Sequence, residues 1–272
     1  MRMRSKTVAV ILLSMLTVAA KSQYAAKVTL NSGHSFVVKA LNIQGDRLMQ
    51  DTGSSSFALS MIQSIEFRFS GVGLSMCESM FYRGDRKALE GLLEQYVGPV
   101  AQYSALPTNL GDYLVWWLRC QYWNGNTGGA GTTVGYIRKT GNERDMDVAG
   151  MYFALMLLDQ GNVENARTVF SDIGNPADIS EPMTEYIQGR FALEAGKLKT
   201  AMQHVAKIIA FHIRDEEWLP PATVLEAEIY QKLGQPVKAA AVADELIIAY
   251  PNSRWSKRGE TIKMESTGSR GG

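Results

Sequence analysis

The sequence predicts an α+β chain that is mainly α: a small β-barrel-like region at the N-terminal side, followed by an α-solenoid of about five helical hairpins. Three observations lead there. Apolar residues alternate with a period of two as far as Phe69 and with a period near 3.6 after Gly73. Short runs rich in Val, Ile, Phe and Leu between residues 24 and 69 are broken by Asn31-Ser32-Gly33, Gln44-Gly45-Asp46 and Thr52-Gly53-Ser54-Ser55, which are turn formers. Beyond them, Gly84, Gly125, Gly161, Gly196 and Gly234 follow one another at spacings of 41, 36, 35 and 38 residues, a period typical of repeat architectures.

Residues 1–22 come first. Arg2, Arg4 and Lys6 precede an uncharged, mostly apolar run from Thr7 to Ala20. That run has the length of a signal-peptide core and is short for a membrane span. Ala20 and Ser22 place small residues at the −3 and −1 positions of a cleavage after Ser22. The expectation is export to the periplasm or cell envelope; no Cys follows the run to carry a lipid. No later segment reaches the roughly 18 uninterrupted apolar residues of a transmembrane helix, so no integral span is expected after cleavage.

Residues 23–70 read as five short strands near 25–31, 35–43, 46–51, 56–60 and 63–69. Alternation is clearest at the end, where Ile65, Phe67 and Phe69 share one face while Glu66 and Arg68 share the other. Strands this short suit a bent barrel, because closure protects their edges. The runs Lys27-Val28-Thr29-Leu30, Gly45-Asp46-Arg47-Leu48 and Met61 to Phe67 resemble SH3-like or Sm-like barrels.

From 74 to 255 the helical repeat takes over. An Ala stands five positions after each of the last four turn glycines, at Ala130, Ala166, Ala201 and Ala239. Ala154, Gly189 and Ala227 stand seven positions before Gly161, Gly196 and Gly234; Cys77 and Leu118 fill that place in the first two units. Glycine can take the left-handed conformation that ends a helix, and small residues at fixed offsets let the two helices of a hairpin approach closely. The segments Met151-Tyr152-Phe153-Ala154 through Ala166, Ala227 through Ala239, and Leu246 to Ser253 with its Tyr250-Pro251-Asn252-Ser253 ending resemble the tetratricopeptide repeats of bacterial envelope proteins. Two stretches depart from the pattern. Trp123 to Gly135 carries five glycines, poor helix material, and reads as a flexible loop or a loose second helix near 132–140. The polar, basic tail 256–272 is expected to be disordered.

Charge and chemistry narrow the function classes. The whole chain carries +1; without residues 1–22 it holds 24 basic and 27 acidic residues. That balance supplies no basic stripe for nucleic acid. Cys77 and Cys120 fall on the first helices of neighbouring units, compatible either with a disulfide in an oxidising compartment or with two buried thiols. His204 and His212 are eight apart, not the i, i+4 pair of a helical zinc site, and His34 falls in a turn. The Gly131-Thr132-Thr133 stretch lacks the lysine of a phosphate loop, and no nucleophile motif occurs. Asp215-Glu216-Glu217 and Glu143-Asp145-Asp147 read as helix-start acids, favoured by the helix dipole. No cofactor, metal or catalytic constellation is expected.

Recognition is what the repeat resemblance implies: first helices line a groove, with groove positions 13, 10, 6, 3 and 2 residues before the turn glycine. These are Asp112, Val115, Arg119, Tyr122 and Trp123 in the second unit, Val148, Met151, Leu155, Leu158 and Asp159 in the third, Met183, Tyr186, Arg190, Leu193 and Glu194 in the fourth, and Pro221, Val224, Glu228, Gln231 and Lys232 in the fifth. Aromatics and arginines dominate binding hot spots, so Arg119, Tyr122, Trp123, Tyr186 and Arg190 are the candidate partner-binding residues. The expected function is a non-enzymatic envelope scaffold that holds a protein or peptide partner or a second copy of itself. The alternative is a cell-wall glycan-binding module that uses the β region, with the repeats as spacer.

Overall fold

The computed structural model describes residues 23–50 and 55–268; the expected signal peptide, 1–22, lies outside them. Six strands, β1 (Tyr24–Leu30), β2 (Ser35–Val38), β3 (Asn42–Gln44), β4 (Arg47–Met49), β5 (Ser56–Ala58) and β6 (Ile62–Phe69), form two three-stranded antiparallel sheets ordered β2-β1-β6 and β3-β4-β5. Alternation sets their faces: Ala26, Val28 and Leu30 of β1 are buried, as are Ile65 and Phe67 of β6, while Glu66 and Arg68 face out and pair with each other.

No barrel closes among the described residues, which corrects the barrel-like expectation. The chain predicted to run straight through 35–43 bends at Lys39 and Ala40, and the bend sends Asn42–Gln44 into the second sheet. Side chains, not a hydrogen-bonded ladder, join the sheets, with Phe36 of β2 stacked on Phe57 of β5 at 5.0 Å. The outer edge of β6 is covered from the helical side. Ile65 N–H donates to the Pro107 carbonyl (2.8 Å), and the Asn109 side chain accepts from Phe67 N–H (2.8 Å) and donates to its carbonyl (3.0 Å). An open edge would invite pairing with another chain; here it fastens the sheet to the helices.

The helices come in hairpins: α1 (Leu74–Tyr82) with α2 (Arg86–Tyr96), α3 (Leu110–Trp123) with α4 (Thr127–Thr140), and α5 (Glu143–Asp159) with α6 (Val163–Ser171). After the short α7 (Pro176–Ile179) follow α8 (Glu181–Glu194) with α9 (Leu198–Phe211), and α10 (Leu219–Lys232) with α11 (Pro236–Ala249). All five hairpins turn the same way. Gly84, Gly125, Gly161, Gly196 and Gly234 have φ between 68° and 86°. At the second turn Gly125 N–H donates to Tyr122 and Asn126 N–H to Gln121; the pair recurs at each of the other four glycines. This is the Schellman closure, which satisfies carbonyls the helix end would leave open. The small residues behave as their spacing requires: Ala130, Ala154, Ala166, Ala201, Ala227 and Ala239 are fully buried.

Two expectations are corrected in this region. The glycine-rich stretch is the regular helix α4, started by the Asn126 side chain accepting from Gly129 N–H (3.0 Å). It holds because one face buries Ala130, Thr133, Val134 and Ile137, and because Gly129 lets the Gln121 and Asn126 amides lie where a Cβ would collide. As far as Gly268 the tail is helical too: α12 (Arg254–Gly268) packs along α11 and buries Ser256, Gly259, Ile262 and Ser266, while 269–272 lie outside the described residues. Gly259 permits this, since a Cβ there would stand 2.9 Å from the Ala243 carbonyl oxygen.

One apolar core runs from Ala26 of β1 to Ile229 of α10, so the sheets and the first four hairpins are not separately cored. A smaller cluster, including Ala239, Val242, Ala243 and Ile262, holds α12 in place. Cys77 and Cys120 are both free and fully buried in the structure. Burial pushes them to about 11 and about 12, far from the thiolate form that drives cysteine chemistry. Among the described residues no helix is long and apolar enough to cross a membrane.

Candidate functional site

The five candidate residues converge, though mostly on the protein's own acids. Before α10, the Asp215 carboxylate accepts from Glu217 N–H (3.0 Å) and Trp218 N–H (2.7 Å). This is the helix-start role expected of such an acid, and the turn it forms drives Glu217 and Trp218 inward. Glu217 is 3% exposed. Its Oε1 accepts from Trp123 Nε1 (2.6 Å) and the Tyr152 hydroxyl (2.5 Å), and its Oε2 pairs with Arg119. One carboxylate thereby joins α3, α5 and the entry to α10.

Arg119 is held from both sides: its guanidinium lies 4.1 Å from the Trp116 ring centre and 4.4 Å from that of Phe81, and it donates to the Tyr82 hydroxyl (3.1 Å). Burial works against its charge, but Glu217, Tyr152 and Tyr82 together outweigh burial and hold the guanidinium protonated. Tyr152, fully enclosed, has its phenol pushed up by burial and by the Glu217 charge. A buried carboxylate is tolerable when its oxygens are occupied by donors and a cation, and Glu217 meets that condition.

A second knot lies beside the first. Asp159 accepts from the Tyr122 hydroxyl (3.1 Å) and from Arg190 (3.0 Å), and Arg190 also reaches the Tyr186 hydroxyl (3.4 Å). Trp218 packs against both Trp123 (5.2 Å) and Tyr186 (5.6 Å). Trp123 and Tyr186 are buried, and the C-terminal helix closes over the first of them: Arg254 donates to the Trp123 carbonyl (2.8 Å), and Trp255 stands edge-on to its ring (5.6 Å).

What stays open is a cleft of about 580 Å³ on the inner side of α3, α5 and α8. Of the five candidates only Arg119 lines it. Asp112, Val115, Val148 and Met183, placed at groove positions by register, line it too, together with Trp116, Asp145, Glu217 and Trp218. The groove register thus meets the cleft at Asp112, Val115, Arg119, Val148 and Met183 and at no position of the fifth unit, while Tyr122, Trp123, Tyr186 and Arg190 are taken up by contacts within the protein. Glu217 escapes a reading of sequence because it looks like one more acid in a helix-start cluster; the nearby Asp215 alone has that role.

Elsewhere, Glu185 (8% exposed) accepts from His204 Nδ1 (2.6 Å) and Lys207 (2.7 Å) across α8 and α9. Burial raises its carboxyl, but those two donors outweigh burial and hold it below the ordinary range. Among the described residues no group of three or more His, Cys, Asp or Glu is placed to hold a metal ion. No family model, curated protein or solved structure matches the chain.

Proposed function

We propose that the chain is an exported, non-enzymatic scaffold of the cell envelope, built as a solenoid of five tetratricopeptide-like hairpins, whose inner cleft holds an extended segment of a partner protein. The observation that carries this reading is the coincidence of five identically closed hairpins with an open cleft lined by the first helices of the first four and the turn before α10. Repeat arrays bind chiefly on such inner faces. The floor of the cleft is rigid, since Glu217, Arg119 and Tyr152 hold one another, and rigid floors cost less to order on binding.

The test is site-specific photocrosslinking in intact cells. A photoreactive residue replaces Val115 or Val148 in the cleft, or Phe211, which is 79% exposed outside it. A discrete partner captured from 115 and 148 but not from 211 is the expected result. Capture from 211 alone moves the binding surface to the outer face and rejects the cleft.

A further inference from the structure

Resting on the cleft reading above, we infer that the cleft selects a basic side chain of the partner segment, seated between Asp112 and Asp145 with its aliphatic stem along Val115 and Val148. The floor offers a ligand little unspent charge: Glu217 is saturated by three donors and Asp215 by two backbone N–H groups. Asp112 and Asp145 differ. Among the described residues neither carboxylate forms an ion pair or accepts a hydrogen bond, and both line the open part of the cleft.

The fold brings these like charges together at a cost. Asp145 belongs to α5 and Asp112 to the first turn of α3. Gly111 lets them approach, because the Asp145 Oδ2 occupies the place of a Cβ, 2.0 Å from where one would stand. Burial and then the Asp112 charge push the Asp145 carboxyl up, and the exposed Arg144 beside it does not cancel them. Two unpaired carboxylates lining one partly apolar cleft are complementary to one incoming cation. Tyr82, 40% exposed at the same cleft, adds an aromatic ring of the kind that favours cations.

The experiment selects a random peptide display library on the purified full chain and measures the recovered peptides by fluorescence anisotropy. Quenching of Trp116 emission, checked with W116F, locates them. Variants are D112N/D145N, near-isosteric, and D112K at an exposed position; thermal melts confirm folding. The expected result is a Lys or Arg fixed at one position of the recovered peptides. Affinity should fall about tenfold or more in D112N/D145N and be lost in D112K, with Trp116 quenched on binding. Peptides that quench Trp116 but show no basic preference, or bind both variants unchanged, overturn the cation seat and leave the cleft reading standing. Recovery of no peptide that perturbs Trp116 rejects both.

Discussion

Glu217 governs three partners that lie far away in the chain, Arg119, Trp123 and Tyr152, at separations of 98, 94 and 65 residues. Replacing it with Gln keeps the size but removes the charge opposite a guanidinium that is only 15% exposed. Breaking a buried pair from one side leaves the other charge uncompensated, so E217Q should lose about 3 kcal/mol of stability by urea unfolding. Restoring most of it in the double variant R119M/E217Q would identify the buried arginine as the source. An E217Q protein as stable as the parent would show the pair to be energetically idle.

The hairpins depend on glycine in one place and merely tolerate it in another. Gly161, at φ 74°, has open space around it, so the cost of an Ala is conformational only; G161A should destabilise by about 1 kcal/mol. Gly128 and Gly131 sit inside α4 with nothing near a Cβ, and G128A or G131A should stabilise by about 0.5–1 kcal/mol. G129A belongs with neither, because a Cβ would collide with the Gln121 and Asn126 amides. Calorimetric melting of the four variants should order them in this way. The same contrast explains what was legible in the sequence. The five turn glycines, and the alanine partners of the last four, answer a local demand, one positive φ and one close contact, and local demands leave fixed spacings. Helix α4 was hidden because its stability comes from the face buried by Ala130 and Val134 rather than from propensity. α12 was hidden because its polar sequence offers only Ile262 as a fully buried large apolar residue. The inward turn of Glu217 needs partners from three elements, and no window of sequence contains them.

The molecule closes on itself. Arg254, at the start of the last helix, caps the end of α3 by donating to the Trp123 carbonyl, and its guanidinium lies 4.5 Å from the Trp255 ring centre. A linear array of hairpins frays from its ends, each unit answering only to its neighbours. With this closure, α12 should exchange its amide hydrogens about as slowly as α10, and R254A should release α12 to faster exchange while leaving α5 unchanged. Equal exchange in both proteins would show that α12 is held by its packing on α10 and α11 without the Arg254 contact.

The tie between Arg254 and Trp123 also has a mechanical meaning. A pull that separates α12 from α3 loads this contact together with the Trp123 contacts to Glu217 and Trp218. The 131 residues it spans are folded hairpins, and an extended chain spans at most about 3.4 Å per residue, so their complete unfolding after those ties fail would add roughly 400 Å of length.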